Sequence, residues 1–230
     1  MGAVQLTFGD HRRRTGRGGP RAGAGRPRGP RPIVHHVRRS ALTHGCPAHV
    51  TLRMQRDVPS LRCRAFVREA RRSFASACER GSFRLVHFSI QRDHLHLLVE
   101  ADDARALGRG MKSIAARVAR CVNQVFRRTG AALLGRYYVR ALRTPREVRN
   151  AIAYVLLNAR KHWKQRFGSA PPVRIDDASS GAWFTGWVHR NQPVSASEPP
   201  PVAGARTWLL RVGWRRHGAI DPREVPGATA

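Results

Sequence analysis

The chain has 230 residues, of which 41% are hydrophobic, and its 43 Lys and Arg against 14 Asp and Glu give a formal net charge of +29. That is enough apolar material for the core of one domain with extensions, and no apolar run reaches the length of a membrane span. A field of this sign draws polyanions, nucleic acid above all, although a base composition that inflates Arg, Ala, Gly and Pro together accounts for part of the excess.

Residues 1–45 contain RRRTGRGGPRAGAGRPRGPRP, with almost no aliphatic side chains. Such a segment cannot offset its ordering entropy and is expected to be a disordered basic tail. It lacks a signal-peptide apolar region, and Leu6 breaks a myristoylation pattern at Met1-Gly2. From His49 the pattern changes. HVTLRMQ alternates as a strand, with Val50, Leu52 and Met54 on one side. Leu61 to Glu79 carries Leu61, Ala65, Phe66, Ala70, Phe74, Ala77 and Cys78 at helical spacing, and Gly81 is expected to stop that helix. FRLVHFSI, the turn QRD and DHLHLLVEA then read as a β-hairpin. Along the second strand His94 and His96 point one way and Leu95, Leu97 and Val99 the other. Two adjacent imidazoles on the polar side are either surface polarity or half of a metal site.

Asp102 and Asp103 cap a long helix with the stripe Leu107, Met111, Ile114, Val118, Cys121 or Val122, and Val125. RYYVRALR is a fourth strand, and Thr144-Pro145 opens a third helix expected to run to Phe167. The order β-α-β-β-α-β is the α+β, ferredoxin-like split βαβ arrangement. It is an antiparallel sheet with helices on one face and the other face open, and the third helix is extra. The expected division is a tail over residues 1–45, a domain over 46–168, and a Pro- and Trp-containing extension over 169–230 that docks through Trp183, Phe184 and Trp187.

On a wheel of about 100° per residue, Val148, Ile152, Val155, Leu156, Ala159 and Trp163 share an apolar face of the third helix. Glu147, Asn150, Tyr154, Asn158, Lys161 and Gln165 lie opposite. A structural tyrosine packs its ring on or beside the apolar face, so Tyr154 stands out. Tyr137 and Tyr138 adjoin on a strand, so one of them faces the core; His87 is expected to pack, and His49 needs no role.

The four cysteines, Cys46, Cys63, Cys78 and Cys121, form no C-x-x-C pair and no zinc-ribbon spacing, which fits free thiols in a reducing cytoplasm. Arg105, Arg109, Lys112, Arg117 and Arg120 on the long helix, and Arg136, Arg140 and Arg143 around the last strand, form either a solvated face or a track for a DNA backbone.

His-Leu-His on a strand followed by Tyr-x-x-x-Asn on a helix resembles the single-tyrosine HUH nucleases. HLHLLVE, the helix with MKSI, the block GRYYVRALRTPREVRNAIAYVLLNARKH and WFTGW are similar to the REP-associated tyrosine transposases of bacteria, over roughly residues 48–190. The resemblance implies a divalent ion, Mg²⁺ or Mn²⁺, held by His94, His96 and Asn158. It also implies Tyr154 as a nucleophile that forms a 5′-phosphotyrosyl link, with Lys161 as a secondary aid to its ionisation. The implied ligand is single-stranded or hairpin DNA, in a monomer or homodimer associated with the bacterial nucleoid. Arg105, Arg109, Lys112, Arg136, Arg140 and Lys161 would contact that DNA, with bases resting on Tyr137 and Trp163. The rival readings are a basic nucleic-acid-binding protein without catalysis, an inactive transposase relic, and a zinc hydrolase. The last lacks a further ligand at convincing spacing.

Overall fold

Alternation sets the sides of β1 (Ala48–Arg53): Ala48, Val50 and Leu52 are buried towards the core, as is Met54 just past the strand, while His49, Thr51 and Arg53 face the other way. The structure is a computed structural model that describes residues 45–169, 172–188 and 200–227. Apart from Gly45, the expected basic tail lies outside these residues.

The helix α1 (Arg64–Ala75) is shorter at both ends than its apolar spacing suggested. Phe66, Ala70 and Phe74 are buried, but Ala65 is exposed. Glu79–Arg80 form a short strand, β2, that turns back on β3 (Phe83–Ile90). Gly81 at φ +52° makes that turn, so it closes a hairpin rather than ending a helix. β3 pairs with β4 (His94–Ala101), and β1 takes the other edge of β4, with Arg53 opposite His94, Thr51 opposite His96 and His49 opposite Leu98. The long helix α2 (Ala104–Val125) is capped by Asp103, whose carboxylate accepts from the Ala106 N–H at 2.6 Å. Gly110 lets α2 press on the sheet, since a Cβ there would sit 2.1 Å from the Phe83 ring. β5 (Tyr138–Ala141) pairs with β1, completing the antiparallel order β2-β3-β4-β1-β5. This is the ferredoxin-like arrangement with one added edge strand. Helices α1 and α2 bury Phe66, Met111, Ile114 and Val118 against Leu95, Leu97 and Val99.

The opposite face is closed as well. α3 (Pro145–Leu156) starts at a capping box in which Thr144 and Glu147 bond each other's backbone N–H. It packs Val148, Ile152, Val155 and Leu156 with Val86 and Leu98 in a second core, joined by Phe184, Leu209, Leu210, Trp214 and Ile220 of the C-terminal segment. That segment contains the short helix α5 (Trp208–Arg211) and is tied to the sheet. Ala203 N–H donates to the Leu85 carbonyl, Ile90 N–H donates to the Ala178 carbonyl, and the buried Glu100 accepts from Arg206 N–H and from the N–H and hydroxyl of Thr207 at 2.7–2.8 Å.

The third helix does not run unbroken to Phe167. Leu157, at φ −109° and ψ 14°, leaves helical geometry, and α4 (Asn158–Phe167) begins afresh. The periodicity of one continuous helix therefore fails beyond Leu157. Asn158, expected on the polar stripe, is fully buried, and Trp163, expected on the apolar stripe, is 43% exposed. Among the described residues, no helix is long and apolar enough to cross a membrane.

Candidate active site

Strand register builds the first half of the site. Directly opposed residues of antiparallel neighbours point to one side, so Thr51, His96 and Ser89 form a row across β1, β4 and β3, flanked by His49 and His94. The two histidines of the hairpin meet: His94 Nε2 lies 3.0 Å from His96 Nε2. Each has its other ring nitrogen engaged. His94 Nδ1 is 2.8 Å from the Asp93 carboxylate, and His96 Nδ1 is 3.1 Å from His49 Nε2 and 3.2 Å from the Thr51 hydroxyl. When both Nδ1 atoms donate to these partners, both Nε2 lone pairs face the same point. Asp93, expected to serve the turn, thus also orients His94. His49, expected to need no role, contacts His96.

Tyr154 arrives from α3. Its ring packs edge-on to His96 at 5.0 Å and to His49 at 5.7 Å between centroids, and Lys161 Nζ of α4 stands 5.0 Å from the ring centre. A fourth imidazole, His162 of α4, lies 6.3 Å from His94 between centroids. His49 was findable from β1 alternation once β1 was paired with β4. His162 was hidden by the assumption of an unbroken helix.

Burial dominates the electrostatics. It lowers His96 to about 2, helped by the neighbouring His49, His94, His162 and Lys161, and lowers His49 to about 4, helped by Arg140. His162 is lowered mainly by burial too. The Asp93 carboxyl is held low by its bond to His94. At neutral pH His49, His96 and His162 are therefore uncharged, and a neutral imidazole is the form that binds metal.

A metal ion fits this donor set. Two nitrogens about 2.1 Å from one ion and at right angles to each other stand about 3.0 Å apart, which is the separation observed. Among the described residues no three His, Cys, Asp or Glu side chains are grouped so as to hold a metal ion. Asn158 is fully buried, and among the described residues neither its Oδ1 nor its Nδ2 has a hydrogen-bond partner. A buried amide rarely goes unpaired, and a ligand would satisfy it.

The cationic side chains are dispersed. Arg140 is paired with Glu147 at 2.9 Å and, with His49, Asn150 and Tyr154, lines a cleft of about 580 Å³. Arg136 is exposed ahead of β5. Arg105, Arg109 and Lys112 are exposed on α2, which covers the face of the sheet away from the histidines. Of the aromatics expected to receive bases, Tyr137 instead packs partly against the core and its neighbour Tyr138 is 67% exposed.

Residues 43–155 match the model of the IS200-like transposase family. No curated protein matches the chain. Among solved structures, a REP-associated tyrosine transposase bound to a REP hairpin is 14% identical at a TM-score of 0.46, over 56% of this chain and 74% of that one. A transposase candidate from Deinococcus radiodurans R1 is 15% identical at 0.36, over 48% and 85%. A bacterial tRNA(His) guanylyltransferase-like protein in complex with GTP is 13% identical at 0.38, over 59% and 74%. At these scores the structural likenesses do not separate a transposase from a guanylyltransferase; the sequence match does, and it takes in both histidines of β4 and Tyr154. Residues 43–155, a little under half of the chain, are thus similar to the IS200-like transposase family.

Proposed function

We propose that this chain cuts and rejoins single-stranded DNA through a covalent 5′-phosphotyrosyl intermediate on Tyr154. The observation that carries the reading is the meeting of two Nε2 atoms 3.0 Å apart beside the Tyr154 ring. The His94 and His96 Nε2 atoms and the Asn158 amide would hold the divalent ion, Mg²⁺ or Mn²⁺. When bound, it polarises the scissile phosphate and offsets charge building on its oxygens. Tyr154 Oη attacks phosphorus, the bond from phosphorus to the 3′ oxygen breaks, and the departing 3′ oxygen gains a proton as the phenol loses one. Rejoining is the reverse attack by a 3′-hydroxyl, which returns the proton to Tyr154.

Lys161 Nζ stands 5.0 Å from the centre of the Tyr154 ring, which puts a cationic side chain beside the attacking group. Tyr154 lies next to the histidines of its own chain, which supports action on a strand bound there. Lys161 and Arg140 flank that strand's path. Arg105, Arg109, Lys112 and Arg136 would meet DNA only beyond the site. The hairpin ligand of the solved REP-associated transposase makes hairpin DNA a natural probe.

The test mixes protein with labelled single-stranded and hairpin DNA from the flanks of its own gene, plus Mn²⁺ or Mg²⁺, and resolves the products by denaturing electrophoresis. A covalent adduct that vanishes with Tyr154→Phe, with His96→Ala and with chelator is expected. Tight binding with no adduct under either metal would assign the chain to non-catalytic DNA binding or to a transposase relic.

A further inference from the structure

A second cleft, of about 720 Å³, opens between α1 and α4 and is closed below by residues 172–178. Its floor includes Val67, Ala159 and Ala178, and its rim is mostly arginine. Several of these arginines already have partners. Arg62 grips the Asp176 carboxylate with two bonds at 2.7 and 2.9 Å, Arg174 pairs with Asp177, and Arg71 bonds the Asp177 carbonyl and lies over the Trp183 ring. The two acidic residues of the cleft are thereby neutralised by arginines beside them. Arg64 and Arg68 remain, one helical turn apart on α1 and exposed, with no hydrogen bond or ion pair among the described residues. Trp163 of α4 lines the same cleft and is 43% exposed. A large aromatic left that open is uncommon in a packed chain and is the kind of platform on which an unpaired base stacks.

The cleft is also placed to serve the site. α4 carries Lys161 towards Tyr154, His162 towards His94, and Trp163 into the cleft. On its other side Arg62 donates to the Ile90 carbonyl and Leu61 N–H to the Arg92 carbonyl, which fixes the start of α1 against the turn that precedes His94. A strand leaving the histidines along α4 therefore enters the cleft.

We infer that the α1–α4 cleft is a second binding site for unpaired DNA, with phosphates on Arg64 and Arg68 and a base stacked on Trp163. This rests on the single-stranded DNA reading above. Duplex DNA, whose bases are already stacked, gains little from Trp163, so the cleft discriminates between strand states. Arginine forks are matched to phosphate oxygens, and the apolar floor accepts a base edge.

The full chain is titrated, by fluorescence anisotropy without added metal, into a labelled single strand of mixed sequence and into the same strand annealed to its complement. Trp163→Ala should weaken single-strand binding about tenfold and duplex binding no more than about twofold. Arg64→Ala with Arg68→Ala should reduce the slope of log affinity against log salt by about 1.4, at roughly 0.7 per phosphate contact on a single strand. Trp208 on α5 is similarly exposed, at 48%, and lies under Arg216; Trp208→Ala should leave both affinities unchanged. Equal losses from Trp163→Ala and Trp208→Ala, or a Trp163→Ala loss as large on duplex as on single strand, would overturn the cleft as a site. Wild-type protein that fails to bind the single strand would instead overturn the DNA reading beneath it. Coincident melting curves for all variants show that the fold is intact.

Discussion

His49 reaches its neighbour's imidazole from a different strand, and its contribution is orientation. Its Nε2 lies on His96 Nδ1, with the Thr51 hydroxyl as a second acceptor at nearly the same distance. Loss of an outer partner of a ligating histidine typically costs 10–100-fold in metal affinity. Under the proposed metal binding by His96, His49→Ala should weaken Mn²⁺ affinity about tenfold in isothermal titration, the shared role of Thr51 keeping the loss near the lower end. His49→Gln, which retains an acceptor, should recover most of that affinity. An unchanged Mn²⁺ affinity in His49→Ala would make the contact mere packing. The His-Leu-His pair was legible because strand alternation is local. His49 was not, because its place beside His96 depends on β1 joining β4 across 40-odd residues.

The break at Leu157 decides most at the level of elements. A wheel drawn through residues 145–167 puts Asn158 on a polar face and Trp163 on an apolar one, and the structure reverses both. No glycine or proline marks the break, so nothing local announces it. It is stabilised from outside. The buried Arg160 of α4 donates to the carbonyls of Pro172, Arg223 and Glu224, while Arg149 of α3 holds the Glu224 carboxylate with two bonds. Arg160→Met keeps the bulk but leaves those carbonyls unpaired. It should cost about 2–4 kcal/mol in urea unfolding, and a loss under about 0.5 kcal/mol would show that water replaces the guanidinium.

Among the described residues, each face of the sheet carries its own packed core. The α1–α2 face followed from hydrophobic periodicity, and element order alone gave the ferredoxin-like topology. The second core did not follow, because its far half comes from Trp214, Leu209 and Ile220 in a segment with little regular structure. Trp214 is 2% exposed, and Trp214→Ala should cost about 3–5 kcal/mol in stability. Acid should open the molecule as well. His87 is buried between the sheet and the C-terminal segment, near the Ser180 hydroxyl and the Phe184 ring, and burial holds its pKa at about 4. An unfolded histidine protonates near pH 6.5, so below that pH the unfolded chain takes up the extra proton first. Stability should fall from about pH 6.5 towards pH 4, by at most about 3 kcal/mol from this residue. In thermal melts over that range, His87→Leu should flatten part of the decline; an identical acid limb in wild type and variant would remove His87 as a cause.

The register of β1, β3 and β4 has one more consequence. A slip of a single residue between β4 and a neighbour would turn His94 and His96 into the core and bring Leu95 and Leu97 to the surface. Under the proposed chemistry, a mispaired chain is therefore disarmed as well as unstable. A chain released before α3 docks lacks Tyr154 beside those histidines. Under that chemistry, cutting requires both the correct strand register and the docking of α3, so the proposed activity depends on strand pairing itself.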